Sequence, residues 1–211
     1  SDSSVYLTGC TVGGRSVDYT YGKEEIITYD AYTVGDEVTY NNVNYYVIKD
    51  SGVTEETVTL LKAEPLSASE ITTYSAGTGA QTNGNGGMQY HSSSSAYSSS
   101  YVKTTVEAWK NAKAPAATEA RLITYNELLD NLGYENSVAC TGGCYYTGSL
   151  DNVPNFVYNS NYWYWTMSPN NDSAVGVWYV GSDGSLSGNY VYYGDTVVRP
   201  VITIQKSSIS A

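Results

Sequence analysis

Charge is what this sequence has least of: 15% of its residues are charged, and 10 Lys plus Arg face 21 Asp plus Glu, for a net charge of −11. So few cations in an acidic chain argue against partners held through phosphate, and neither nucleic acid nor an anionic membrane surface is expected as a ligand. No apolar run approaches the roughly 20 residues that span a bilayer, so no direct membrane insertion is expected. There is no charged-then-apolar leader at Ser1, and the composition fits a trimmed ectodomain whose export signal or anchor is missing. Histidine is nearly absent too. His91, the one there is, lies among Gln89, Tyr90 and a Ser run, and reads as a solvated loop histidine; a Ser-His-Asp arrangement is the formal alternative. With 3 Cys and 1 His, the chain lacks the about four ligands of a structural zinc site, and neither metal nor cofactor is expected. There is no Gly-x-Ser-x-Gly nucleophile turn and no Gly-rich phosphate loop followed by Lys.

A second absence is local. Between Glu135 and Gln205 there is no Lys, Glu or Gln, although the rest of the chain uses all three. Tyr, Asn, Ser, Asp, Gly, Ala, Val and Thr fill the non-core positions, as in antibody paratopes, where Tyr supplies rigid contact area and Ser, Gly and Asn supply adaptable hydrogen bonds. These residues are also reachable from the Asn codon AAC when its two adenines are replaced at random. Lys, Glu and Gln codons end in a purine and are not. The alternative on composition alone is a Tyr-rich secreted protein.

What is present points to the same stretch. Residues 155–204 hold all but one of the 4 Trp. Strand alternation places Trp178 and Val180 on one side and Val177, Tyr179 and Gly181 on the other, so one side is expected to be core and the other displayed. After the turn Ser182-Asp183-Gly184, Leu186 and Val191 are isolated apolar anchors. The run from Val197 to Ile204 reads as a buried final strand.

Upstream, a chain of 211 residues is expected to form one domain, with residues 1–25 as an N-terminal extension or edge strand and residues 26–211 as the domain proper. Val5-Tyr6-Leu7 and Val17-Asp18-Tyr19 are short strand candidates. Ile26–Tyr29, Glu37–Tyr40, Asn44–Ile48 and Thr57–Leu61 read as consecutive antiparallel strands separated by turn signals. Ser67 with Glu70, and Thr124 with Glu127, have capping-box spacing and predict two helix starts. Val102, Val106 and Trp109 recur at helical spacing on a helix that ends before Pro115. Leu128, Leu129 and Leu132 predict the buried face of the helix after Thr124, with Gly133 as its stop. Residues 74–100, rich in Gly, Ser, Asn and Thr, read as a long loop that adds little to the core. The fold class is therefore α+β: antiparallel strands, two or three short helices and long loops.

Cys140 and Cys144 flank two glycines and read as a small disulfide loop, with a pair of free thiols as the alternative. Cys10 is left over, unpaired or exchanging. Asp172, Asp183 and Asp195 would be the carboxylates of a glycan-cleaving site, but Asp in such turns usually serves the backbone.

Trp163-Tyr164-Trp165-Thr166-Met167-Ser168-Pro169, Val177-Trp178-Tyr179-Val180, Ser182-Asp183-Gly184 and Val198-Arg199-Pro200-Val201 resemble the C-terminal half of a C-type-lectin-like domain, closest to the variable proteins of diversity-generating retroelements and related bacterial surface domains. Formylglycine-generating sulfatase-modifying enzymes are more distantly similar, through Arg121-Leu122, Trp165-Thr166 and Arg199. Those enzymes use cysteines near the domain's end, and none follows Cys144 here, so no enzymatic activity is expected. Val153-Pro154-Asn155 and Ser168-Pro169-Asn170 lack the acidic ligand ahead of Pro that calcium-binding lectins carry; Asn170-Asn171-Asp172 is the remaining oxygen-rich run.

The resemblance implies a C-type-lectin-like domain over residues 26–211, with the variable region at 155–204 and the final strand paired to an early one. It implies noncovalent binding, outside the cell or at its surface, of a protein or glycan on another cell or phage host. Trp163, Trp165, Trp178, Leu186, Val191 and Arg199 would be fixed scaffold, Arg199 tying down a carboxylate or backbone carbonyls. Asn170, Asn171, Ala174, Val175, Gly176, Tyr179, Gly181, Ser185, Ser187, Gly188, Asn189, Tyr190, Tyr192, Tyr193, Gly194 and Asp195 would face the ligand. A fixed-specificity adhesin or pilus-tip module is the alternative, and an enzyme acting on glycans ranks third.

Overall fold

The computed structural model of the chain describes residues 7–12, 15–19, 26–140, 143–171 and 173–209, with the backbone alone up to residue 26. Val5, Tyr6 and Asp172 lie outside the described residues, as does the side chain of Cys10. Within them the chain is α+β, built from antiparallel sheets and three α-helices.

Strands β1 (Leu7–Val12), β2 (Arg15–Tyr19) and β3 (Ile26–Tyr29) form a three-stranded sheet in that order. The sequence predicts that β3 pairs onward with the strands after it; instead it pairs with β2. Beyond Tyr29 the N–H of Tyr32 is donated to Asp50 (2.8 Å) and that of Thr33 to Asp36 (2.7 Å). Carboxylates there take the place of a ladder partner, and the chain turns away.

Next, β4 (Glu37–Tyr40) turns into β5 (Val43–Asp50) through Asn41 and Asn42, at φ 52° and 62°. Two left-handed residues in a two-residue loop match the twist of the strands they join, and Asn tolerates that region. After β6 (Thr57–Lys62), helix α1 (Ala68–Tyr74) starts at the expected capping box: Ser67 accepts from the Glu70 N–H and Glu70 accepts from the Ser67 N–H. Helix α2 (Tyr101–Lys113) is capped by Ser100 and buries Val102, Thr105, Val106 and Trp109, spaced so that one face meets the core. A short β7 (Glu119–Arg121) leads to α3 (Tyr125–Asn131), whose capping box is Thr124 with Glu127. Gly133, at φ +77°, stops this helix; a side chain there would run into the Asn152 carbonyl. The chain then forms β8 (Val138–Cys140), β9 (Cys144–Tyr146), β10 (Tyr164–Pro169), β11 (Gly176–Val180), β12 (Leu186–Tyr190) and β13 (Val201–Gln205).

The main sheet has the order β4-β5-β6-β13-β7, and the second has β10-β11-β12-β9-β8. β13 pairs with β6 from Val201↔Leu61 to Gln205↔Thr57, which brings the end of the domain against its early part, as expected. Only the second half of the expected Val197–Ile204 strand enters the ladder. Pro200 has no N–H to donate, and Val197 makes isolated bridges to Gly87 and Tyr164, though the whole run from Val197 to Ile202 is buried.

The main sheet is buried on both faces. Tyr45, Val47, Val58, Leu60, Ile202 and Ile204 share one core with α1 and α2; Ile48, Leu61 and Val201 share another with Leu128, Leu132 and the second sheet. Residues 74–100 contribute more than their composition predicts, since Met88 and Tyr90 are fully buried. Backbone bonds from Met88 to Thr196, and from Tyr90 and His91 to Val191, hold this segment across the molecule. A polar, Gly-rich loop can carry core side chains when another segment satisfies its backbone.

Candidate ligand-binding surface

The second sheet is positioned by residues that alternate less cleanly than expected. Trp178 and Val180 enter one core and Val177 the other, so β11 is buried on both faces and the expected displayed side is missing. On that side Val177 joins the core that also holds Met88, Tyr90 and Trp165, and Tyr179 packs half-buried against it with its ring on Trp163. Trp165 is fully buried, donates its indole N–H to the Met88 carbonyl (3.0 Å) and meets Tyr90 edge-on. Leu186 pairs with Val180 and is fully buried, as is Val191. Arg199 is 1% exposed and ties backbone carbonyls: its guanidinium donates to Lys62, Ala63, Phe156 and Val157 at 2.8–3.0 Å. The same group lies 5.3 Å from the centre of the Tyr164 ring. Trp163, expected to pack as scaffold, does not: it is 43% exposed, with its N–H on Ser182 (3.2 Å) and its ring against Tyr179.

The residues expected to face a ligand separate into three groups. Tyr190, Tyr192 and Tyr193 are 41–48% exposed and pack on one another, Tyr190 parallel to Tyr192 at 5.3 Å and Tyr193 edge-on to both. Asn171, Ala174, Gly188 and Asp195 are exposed, and Ser185, Ser187, Asn189 and Gly194 are half-buried at the same surface. Asn170, Gly176 and Gly181 are buried, and Val175 and Tyr179 pack against the core, so these five are corrected from display to support. Asn170 is buried because its side chain lies under Gly188, where a Cβ would come 2.5 Å from the Asn170 amide nitrogen, and donates to the Cys144 carbonyl. Polar type alone cannot distinguish a buried amide with partners from a displayed one.

Sequence reasoning passed over the β8–β9 hairpin, which adds itself to β12 through Ser187↔Tyr145. Cys140 and Cys144 close it with a disulfide. Tyr145 projects from it, 45% exposed. A cavity of about 270 Å³ has Tyr145, Asn170, Gly176, Gly188 and Tyr190 in its lining. A second, of about 490 Å³, lies beside Val138 and the disulfide over Tyr125 and Trp178, whose rings stack at 5.0 Å, with Asn126, Asn136 and Asn171 around it. Cys144 borders both. Alternation of Tyr145 with buried Cys144 and Tyr146 was the available signal, in a stretch too short to stand out.

Ionic groups here serve structure. Glu127 accepts from both guanidinium nitrogens of Arg121 (2.6 and 2.8 Å); burial by itself would raise its pKa, but Arg121 and Thr124 hold it below the usual carboxylate range. Asp183 is likewise held low, by the Ser185 hydroxyl and N–H. Asp195 bonds Asn189 and Thr196. His91 is not simply solvated: its Nδ1 accepts the Ser93 and Ser94 N–H groups and its ring stacks on Tyr101 at 5.2 Å. Among the described residues no three His, Cys, Asp or Glu side chains are grouped so as to hold a metal ion, and no helix is long and apolar enough to cross a membrane. What the surface offers is hydroxyl, amide and aromatic contact, the means of noncovalent recognition.

Residues 36–206 match the family described as a domain of unknown function, DUF6273, and the chain belongs to that family. No curated protein and no solved structure matches it.

Proposed function

We propose that this member of the DUF6273 family is a noncovalent ligand-binding protein, presenting a Tyr/Ser/Asn surface on a C-type-lectin-like scaffold and diversified by a retroelement. The observation that carries the proposal is the arrangement of residues 190–193. Val191 anchors the segment in the core while Tyr190, Tyr192 and Tyr193 stack outside it. Large apolar area left in solvent, rigid and rimmed by amides and hydroxyls, is what a recognition surface needs. The scaffold beneath is fixed by Trp165, Trp178, Leu186 and Arg199, so the displayed side chains can change without changing the backbone that carries them. The protein works outside the cell or at its surface, on a protein or glycan of another cell or phage host.

Two measurements test this. Replacing Tyr190, Tyr192 and Tyr193 together by Ser should change unfolding free energy by only about 0.5 kcal/mol per residue, as for other exposed positions. Sequencing the coding region across a population should show variation at the displayed codons, near-invariance at the scaffold codons, and nearby a reverse transcriptase with a near-copy of the 155–204 region differing at adenines. An invariant stretch with neither element nearby would sink the diversification and leave a fixed-specificity adhesin.

A further inference from the structure

We propose that the cavity bordered by Trp163 and Asp195 is the anchor site for an arginine side chain of a basic protein segment; this rests on reading the surface as ligand-binding and names its partner. The cavity, of about 400 Å³, is lined by Ser160, Asn161, Tyr162, Trp163, Ser182 and Asp195. Strand register brings the indole and the carboxylate to one face of the second sheet. Val177 and Tyr179 lie on the same side of β11, and Asn189, directly opposite Val177, shares that side on β12. The Trp163 ring lies against Tyr179 (5.6 Å), and the Asp195 carboxylate accepts from the Asn189 amide (3.5 Å). Backbone bonds from Val197 to Trp163 (2.8 Å) and from Trp165 to Val197 (3.1 Å) hold the two segments side by side. The indole itself reaches the cavity, because its Nε1 donates to Ser182 (3.2 Å), another of the lining residues.

Trp163 is 43% exposed, and indole is the best aromatic face for a cation. Tyr179 and Ser182 hold it in place before a ligand arrives. Asp195 is exposed, and the bonds it accepts from Asn189 and Thr196 both end on Oδ1, so Oδ2 is open to a donor. Among the described residues no cation pairs with it. Segments 74–100 and 136–204, which build this surface, contain a single Lys or Arg, Arg199. Around the cavity, Asp183 follows Ser182, and Glu64 and Arg199 both act on Tyr162. Glu64, Asp183 and Asp195 are exposed, whereas Arg199 and Lys62 are buried and held by backbone carbonyls. The charge that a partner meets is therefore negative, which favours a cation and gives a neutral glycan no attraction. Of the two cationic side chains, the planar guanidinium can stack on the indole while its N–H groups reach Asp195. An ammonium is a more strongly hydrated point charge without that fork.

The test titrates the full chain with Gly-Arg-Gly, Gly-Lys-Gly and Gly-citrulline-Gly peptides blocked at both ends, citrulline being the neutral isostere of arginine. Chemical shifts of the Trp163 indole N–H and of the Ser182 and Asp195 amides report binding. The arginine peptide is expected to bind at millimolar concentration, about threefold or more tighter than either of the others, and to weaken between about 0.05 and 0.5 M NaCl. Asp195→Asn, which keeps the shape and removes the charge, should bring it down to the citrulline level. Trp163→Leu, with an unchanged melting temperature, should bind about two- to fivefold more weakly, the worth of one exposed cation–π contact. If Trp163→Leu fails to fold, the exposed Asp195→Asn still decides. No shift of these signals, a citrulline or lysine peptide bound as tightly as the arginine one, or full affinity in Asp195→Asn would each overturn the proposal. So would a neutral methyl glycoside that displaces the arginine peptide at a lower concentration. If the peptides fail while population sequencing finds the displayed codons varied, the anchor site falls and the diversified surface stands; an invariant stretch with a bound arginine peptide gives the reverse.

Discussion

Replacing Arg199 by Lys keeps the charge and should still cost much of the protein's stability. The guanidinium is 1% exposed and donates to four carbonyls, two at the end of β6 (Lys62, Ala63) and two in the segment leading to β10 (Phe156, Val157). Hydrogen bonds to a charged group are worth about 1.5–3 kcal/mol each. An ammonium on a single stem has three donors and no planar fork, so it cannot reach both pairs, and at least two bonds are lost. Val157 keeps the Tyr164 hydroxyl (2.7 Å), so one of the four carbonyls is not orphaned. The expected loss is about 3–5 kcal/mol, a large share of the ~5–15 kcal/mol by which domains are stable. Urea unfolding should show the midpoint falling by about 1–2 M with the slope unchanged. A loss below about 1 kcal/mol would mean that these carbonyls find other partners and that Arg199 does not tie the two segments together.

Leu186→Ala should cost about 2–5 kcal/mol, because a fully buried side chain opposite Val180 leaves a cavity the ladder cannot close; a change under 1 kcal/mol in the same unfolding assay would put Leu186 outside the core. Asp50 and Lys206 form an ion pair (2.7 Å) with side chains only 3% and 1% exposed, so Asp50→Asn should cost about 3–5 kcal/mol. Burial raises the Asp50 pKa, but Lys206 and the N–H groups of Tyr32 and Gly52 outweigh it and hold the pKa below the usual value. Its contribution is therefore full above the unfolded pKa of about 3.9 and is lost as pH falls through the lower folded value; the acid limb of stability against pH should be shallower in Asp50→Asn, and an unchanged limb would count against the pair. Reducing the Cys140–Cys144 disulfide should cost about 2 kcal/mol at most, since it closes so short a loop, while amide protection falls in β8 and β9 alone; global unfolding on reduction would contradict this.

Local signals were legible in the sequence, and tertiary cover was not. Both capping boxes, the α2 stripe and the Gly133 stop follow from short-range chemistry that operates wherever the chain goes, whereas the β13–β6 closure joins distant segments and was implied by the family resemblance alone. The exposure of Trp163 and the burial of Asn170 do not, because each depends on what another segment covers. Met88 and Tyr90 show the limit most plainly: a loop composition predicts solvent, and two β-like backbone bonds to Val191 and Thr196 place both side chains in the core. On β11, Val177 joins the same core as Met88 and Tyr90 and Tyr179 packs half-buried against it, so the exposed members of the expected set lie mainly on β12 and the turn after it.

That displacement bears on how such a surface could vary. β11 is buried on both faces and supplies only support, whereas β12 alternates buried Leu186 with Ser187, Gly188, Asn189 and exposed Tyr190. Register is pinned by Val180↔Leu186 at one end and Gly176↔Tyr190 at the other, through backbone hydrogen bonds that do not depend on the displayed side chains. A slip by one residue would carry Ser187 into the place of Leu186 and bury a hydroxyl without its partner, at roughly 1–3 kcal/mol on mutational scales, before counting the leucine turned out to water. Leu186 and Val191 therefore hold the frame from opposite ends of the strand. Apart from Gly188, where a Cβ would run into Asn170, the exposed side chains between and beyond them are free to change chemistry without changing position, which is the physical condition a diversified binding surface has to meet.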